Sequence, residues 1–333
     1  MREGRSGYSA AKRTRNSHLW MTRIGRRIVS TVPPLAGPRL AGYLGPVKKI
    51  LVLLEMIKIQ HSLFALPFAA AAAIVAAGGK WLPREYGLIL LAMVSARAAA
   101  MAFNRWADAG MDAENPRTAG RAIPKGEVSR GGALLLAVVC AAVFVGAAAL
   151  LNRVTLMLSP VALAVVLFYS FTKRFTALCH FFLGLSLAIA PVGAWLAIRP
   201  EWNPLPWLLG AGVLLWTAGF DILYACMDVE FDRRKGLHSV PAALGVPRAL
   251  RVAASLHALT IAAFALPLFL CGLGAWYGAG LGAIALLLAY EHLIVRPDDL
   301  GRVNRAFFHV NAVVSFGMMA AVLADYYVRG SRL

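Results

Sequence analysis

Uninterrupted apolar runs of membrane-spanning length leave this chain few folds to choose from. A transmembrane helix needs roughly twenty predominantly apolar residues, and the sequence offers about nine such stretches. They lie near residues 50–78, 86–107, 133–151, 154–171, 175–198, 206–227, 248–271, 274–293 and 306–328. Only helices and closed barrels satisfy every backbone group in lipid, and these runs are far too long for barrel strands. The expected architecture is therefore all-α: a polytopic membrane protein. Composition agrees, with 59 % hydrophobic and 15 % charged residues among 333. Pro67, Pro160, Pro191 and Pro267 fall inside expected spans, where neighbouring helices can re-satisfy the freed backbone groups.

Acidic residues are scarce, and their placement is uneven. The chain has eight aspartates, and five of them sit in two short stretches on the edges of apolar runs. The first reads Asn104-Arg-Trp-Ala-Asp108-Ala-Gly-Met-Asp112. The second reads Asp221-Ile-Leu-Tyr224-Ala-Cys-Met-Asp228-Val-Glu-Phe-Asp232. Charge near a bilayer core is costly and usually functional. Asp108 and Asp112 are i,i+4 neighbours, as are Asp228 and Asp232, so each pair is expected on one helical face. Like charges side by side repel unless a cation joins them, which points to a polyanion site bridged by a divalent metal. Carboxylates are the natural ligands of Mg²⁺, which keeps waters and substrate phosphates in its shell.

Basic residues follow each cluster at short range. Arg117, Arg121 and Lys125 come after Asp112; Arg233, Arg234 and Lys235 come after Asp232; Lys173 and Arg174 close another span. Arginine grips phosphate through two parallel hydrogen bonds and lysine acts as a point charge. The Lys/Arg distribution also sets orientation. With a cytoplasmic N-terminus, most loop cations, Arg105 among them, fall on the inside, and Lys80, Arg84, Arg153 and Arg199 fall outside. Both aspartate clusters then face the cytoplasm.

Residues 1–46 are rich in Arg, Ser, Gly and Pro and lack an apolar signal-peptide core. They read as a basic, disordered arm lying on anionic lipid, or as sequence upstream of a start at Met21. Residues 47–333 form the transmembrane domain. The net charge of +18 suits lipid headgroups and a phosphorylated substrate. No soluble reading domain exists, so nucleic acid is not an expected partner. Cys140, Cys179, Cys226 and Cys271 are scattered singly and read as buried reduced thiols. Glu55, Glu291 and His292 mark helix ends and read as interfacial, and Asp298 and Asp299 as solvated.

Taken together, these motifs resemble those of UbiA-type intramembrane prenyltransferases. The first cluster is similar to that family's NxxxDxxxD signature with its trailing RTxxRxxPxG, here Arg117-Thr118-Ala-Gly-Arg121-Ala-Ile-Pro124-Lys-Gly126. The second is similar to DxxYxxxDxxxD, followed here by Arg234, Gly236 and Ser239. Tyr169 and Lys173 match a YxxxK element. The resemblance runs from Lys48 to about Tyr327.

It implies a bundle of about nine helices around a central cavity capped on the cytoplasmic side. It further implies Asp108, Asp112, Asp228 and Asp232 as ligands of Mg²⁺, joined by Asn104 in holding the metal–diphosphate. Arg117, Arg121, Lys173 and Arg234 would hold diphosphate oxygens. The implied reaction moves a polyprenyl group from its diphosphate to an aromatic acceptor, with Tyr169, Tyr224 and Phe103 as aromatic shields for the allylic cation and Asp221 as a candidate base. The segment from Glu55 to Pro67 and the Tyr224-Ala225 pair resemble the 4-hydroxybenzoate branch. Gly236-Leu-His238-Ser239 resembles enzymes that act on 1,4-dihydroxy-6-naphthoate on the futalosine route to menaquinone. A cation-coupled transporter would instead call for internal repeats and helices broken in mid-membrane. A CDP-alcohol phosphotransferase would need a DGxxAR run, which is absent.

Overall fold

The computed structural model describes residues 51–58, 63–295 and 309–329. The expected basic arm and the pair Asp298 and Asp299 lie outside these residues. The described chain is helical: α1 Leu66–Ala76, α2 Pro83–Glu114, α3 Arg130–Leu151, α4 Arg153–Thr172, α5 Cys179–Ile198 and α6 Pro204–Ala225. A 3-10 turn, Cys226–Asp228, joins α6 to α7 Val229–Arg234. Then come α8 Val240–Leu244, α9 Val246–Leu270, α10 Ala275–Ile294 and α11 Asn311–Val328.

Among the described residues, 8 helical runs are long and apolar enough to cross a bilayer, with α6, the 3-10 turn and α7 taken as one. They correspond to the second to ninth expected spans. The first span, 50–78, is represented by α1, which is 11 residues long. Pro67 therefore starts a helix, where its missing N–H costs nothing, whereas Pro160, Pro191 and Pro267 do lie inside helices.

Helix ends follow local chemistry. Asn152 is the lone residue between α3 and α4. Its side chain accepts from the Thr155 amide while the Thr155 hydroxyl faces the Asn152 amide, a reciprocal cap. Its Nδ2 also donates to the Leu196 carbonyl at 2.8 Å, tying the hairpin to the end of α5. Asn203 caps α6 and Pro204 opens it. The longest helix is α2, at 32 residues. At 1.5 Å per residue that is about 48 Å, well beyond a hydrocarbon layer of roughly 30 Å. Its last three turns carry the first aspartate cluster, and Pro116 holds Asn115, just past the end, in an extended conformation.

Packing makes a ring in which α4 meets α5, α5 meets α6, α6 meets α9, and α9, α10 and α11 lead back to α1. Phe64, Phe68, Trp195, Trp216, Phe264, Tyr277 and Met318 fill the core between these last helices. Small residues let the helices close up, as is general where lipid offers no hydrophobic driving force. A Cβ on Gly184 of α5 would meet the Leu214 carbonyl of α6 at 2.4 Å, so the two backbones are in contact there. The Trp216 indole donates to Asn311 at 2.9 Å, closing a buried polar link from α6 to α11.

One expectation needs correction. Glu291 is not interfacial: it is 1 % exposed, with its Oε2 3.6 Å from His257 Nδ1, which in turn pairs with His292 at 2.9 Å. His257 fits against α6 because Gly219 has no side chain to occupy its seat. The four cysteines are free thiols; Cys179 and Cys226 are buried as expected, whereas Cys140 and Cys271 are only partly buried.

Gly184→Val should push α5 from α6 and destabilise the protein by about 1–3 kcal/mol. Gly146→Ala, where an added Cβ has no neighbour within 4 Å, should not. Loss of the monodisperse peak on heating in detergent reads both, and equal behaviour would refute the close contact.

Candidate functional site

The helices α2, α4, α5 and α6 enclose a cavity of about 910 Å³. Its walls are apolar along most of its length, with Met93, Ala162, Leu183 and Leu214 among them, and charged at one end. That end brings together residues far apart in the chain: Asn104, Asp108 and Asp112 from α2, Arg117 and Arg121 from the following loop, Tyr169 and Lys173 from α4 and its end, and Asp221, Tyr224, Asp228 and Asp232 from α6 to α7.

Each of four aspartates faces a cation of its own. Asp108 is 3.1 Å from Arg174, Asp112 is 2.6 Å from Arg121, Asp228 is 2.5 Å from Arg117, and Asp232 is 2.8 Å from Lys173. Arg117 holds both oxygens of Asp228, through Nε at 2.7 Å and Nη2, the forked geometry that arginine favours. Its Nη1 donates to the Tyr224 hydroxyl at 3.0 Å, and Asn115 donates to Asp228 at 3.2 Å. Burial alone would lower the Arg117 pKa. The hydrogen bond and charge of Asp228, with Tyr224, outweigh it and raise the pKa above its ordinary value.

The two members of each pair do not share partners. The 3-10 turn at Cys226–Asp228 interrupts the α-helical path ahead of Asp228, so Asp228 meets the loop after α2. Asp232, at 0 % exposure, is instead held by Lys173 and by the Ser239 hydroxyl at 2.8 Å. On α2, Asn104 donates to Asp108 at 2.9 Å. Two carboxylate oxygens of these aspartates are buried without a hydrogen bond, Asp112 Oδ2 and Asp232 Oδ1. The second has Lys173 at ion-pair distance but not in hydrogen-bond alignment. Among the described residues no three Asp, Glu, His or Cys side chains converge into a ready metal cage.

The structure departs from the expected site in three places. Arg234 sits exposed at the end of α7 and is not among the cavity residues; Arg174 takes the fourth cation position instead. Phe103 packs against Trp106 and Phe171, and the aromatic rings on the cavity besides Tyr169 and Tyr224 include Phe64 and Phe220. Arg105, expected in an inside loop, lies in α2, 6 % exposed, with Asp112 at 4.0 Å.

Sequence reasoning also passed over two groups. Arg97 lines the cavity two turns below Asn104, and its Nε is buried without a partner. A lone arginine in mid-span, in Ser95-Ala-Arg97-Ala, was the available signal. His180, at the start of α5, lies 2.7 Å from Asp221. Lys58 lines the cavity as well.

Known proteins share this sequence pattern and fold. Residues 65–313 match the UbiA prenyltransferase family. The chain is 35 % identical over 236 residues to a 4-hydroxybenzoate octaprenyltransferase from Xanthomonas oryzae pv. oryzae, spanning 71 % of this chain and 74 % of that one. It is 33 % identical over 258 residues to the protein of the same name from Idiomarina loihiensis, covering 77 % and 89 %. A UbiA homologue from Aeropyrum pernix K1, solved in the apo state, superposes with a TM-score of 0.72 at 35 % identity over 80 % of this chain and 98 % of that one. A UbiA homologue from Archaeoglobus fulgidus, solved with GPP and Mg²⁺, shares the fold at a TM-score of 0.62 and 21 % identity, over 83 % and 99 %. The chain belongs to the UbiA prenyltransferase family and is an integral membrane enzyme of prenyl transfer.

Proposed function

We propose that this enzyme transfers a polyprenyl group from a polyprenyl diphosphate to 4-hydroxybenzoate, in a Mg²⁺-dependent step of respiratory quinone biosynthesis. The observation that carries this reading is the set of four aspartate–cation pairs at one end of an otherwise apolar cavity. A diphosphate and a long hydrocarbon tail need those two environments side by side. The Lys/Arg distribution supports a site facing the cytoplasm of a bacterial inner membrane. The acceptor follows the names of the relatives.

The residues fit a divalent ion. Asp112 Oδ2 and Asp232 Oδ1 are buried oxygens without hydrogen bonds, and Mg²⁺ characteristically takes one or two carboxylates and completes its shell with water and phosphate. Asp108 and Asp112 on one wall and Asp228 and Asp232 on the other would hold it. When bound, it supplies neutralising charge for the leaving diphosphate.

The chain's own residues do the rest. Arg117, Arg121, Lys173 and Arg174 exchange part of their aspartate contacts for diphosphate oxygens and stabilise the charge that grows there. The bond from the prenyl C1 to oxygen breaks, and the diphosphate keeps the electron pair. Apolar walls exclude water from the allylic cation, while Tyr169, Tyr224 and Phe220 offer π faces. The ring carbon of the acceptor forms the new bond to C1. Its C–H electrons return to the ring and the proton passes to Asp221. Arg97 is placed to hold the acceptor carboxylate. Its Cα lies roughly 10 Å from that of Asn104 along α2, and a guanidinium on the cavity wall whose Nε is buried without a hydrogen bond calls for an anion.

Membranes containing the enzyme, given a polyprenyl diphosphate and Mg²⁺, should prenylate 4-hydroxybenzoate. Product only with 1,4-dihydroxy-6-naphthoate would overturn the acceptor, and product with neither would overturn the reaction. Asp108→Ala and Asp228→Ala should abolish turnover while the protein still inserts. Arg174→Ala should cost about 100-fold in kcat, on the scale of losing one transition-state donor, whereas Arg234→Ala should leave kcat near wild type; the opposite ranking would restore Arg234 to the site. Arg97→Ala should raise KM for the aromatic acid by at least about tenfold without changing KM for the diphosphate, and an unchanged acid KM would free Arg97 of that role.

A further inference from the structure

Among the described residues, Asp221 is the one aspartate on the cavity that faces no lysine or arginine in an ion pair; its partner is a histidine. The His180 Nδ1 to Asp221 Oδ2 distance is 2.7 Å, and His180 is 2 % exposed. On the other side of the ring, the backbone N–H of Val240 points at Nε2 from 3.2 Å. An amide nitrogen can only donate, so Nε2 must present its lone pair. The ring proton is then on Nδ1, aimed at Asp221.

The donor that fixes this tautomer is itself held in place. The segment between α7 and α8 is pinned at three points: the His238 amide donates to the Lys173 carbonyl at 2.7 Å, the Ser239 hydroxyl donates to Asp232 at 2.8 Å, and the Cys179 thiol reaches the His238 carbonyl at 3.5 Å. Val240 follows directly as the first residue of α8. A chain of contacts thus runs from Asp232, among the diphosphate-side aspartates, through Ser239 and Val240 to His180 and on to Asp221.

We infer that His180 is a positioning residue for prenyl transfer: through its Nδ1–H it fixes one oxygen of Asp221 and leaves the other to receive the acceptor's proton. This rests on the reading of Asp221 as the base. A neutral donor suits the task better than an arginine. It orients the carboxylate without the full neutralising charge that would weaken it as a base, and buried histidine tautomers are set by their second hydrogen bond in this way. No atom changes owner at His180; its proton stays on Nδ1 while Asp221 accepts and later releases the ring proton.

Steady-state kinetics on the purified, bilayer-reconstituted enzyme test this, with a polyprenyl diphosphate and 4-hydroxybenzoate. His180→Ala should lower kcat on the order of 10- to 100-fold, within the range by which a positioned acid or base contributes, with KM for the diphosphate unchanged. His180→Asn should recover most of that loss, because its Nδ2 donor stands where Nδ1 stood. Adding His180→Ala to Asp221→Asn should cost nothing beyond Asp221→Asn alone. If Asp221→Asn is impaired but His180→Ala turns over like wild type, the inference fails. Equal impairment of the Ala and Asn variants, or additive losses in the double variant, would make His180 a packing residue and also overturn it. Wild-type turnover in Asp221→Asn would remove the base assignment itself, an outcome separate from the other two.

Discussion

Each of the four carboxylates at the charged end of the cavity has a cation within ion-pair distance. That pairing shapes much of the architecture. It requires α2 to continue to Glu114 so that Asp108 and Asp112 reach Arg174 and Arg121. It requires the loop after α2 to fold over the cavity so that Arg117 and Asn115 meet Asp228 from more than a hundred residues away. It also fixes the segment after α7, because Asp232 is wholly buried and is held by Lys173 and Ser239 together. Stripped of its partner, any of these aspartates would be a charge that the bundle could not retain.

A resting site made of ion pairs is also ready for its ligand. Paired charges can exchange partners when a diphosphate arrives, so the cations need not be assembled at the moment of reaction. Preorganisation of this kind is the usual source of electrostatic rate enhancement. On the proposed reading, the apolar length of the cavity serves the other half of the substrate. A separate polar cluster, His257 on α9 with Glu291 and His292 on α10, is not among the cavity residues.

Much of this was legible in the sequence, for a definite reason. Apolar run length is a local property, and eight expected spans match helices with small shifts at their ends. The aspartate motifs were legible because acid in such surroundings is rare. What was not legible depends on which helix stands beside which. Arg234 and Arg174 are both basic residues near a span end, and only the packing of α4 against α2 selects Arg174 as the partner of Asp108. Glu291 near the end of α10 reads as interfacial until α9 covers it with His257. His180 gives no local signal, since its meaning comes from Asp221 on α6 and from the Val240 amide. Arg97 was different: its mid-span position was visible, and only its lack of a partner needed the structure.

The 3-10 turn at Cys226–Asp228 has a mechanical meaning beyond its effect on side-chain direction. It is a joint between two rods. Above it, α6 is bolted to α5 through the Gly184 contact and to α9 through the seat of His257, so Asp221 and Tyr224 move with the bundle. Below it, Asp228 and Asp232 are fastened to the loop after α2 and to the end of α4. Tyr224 is nevertheless tied across the joint to Arg117, and Asp221 to Asp232 through His180, Val240 and Ser239, so a substitution that tilts or repacks α6 is felt on both sides of the joint.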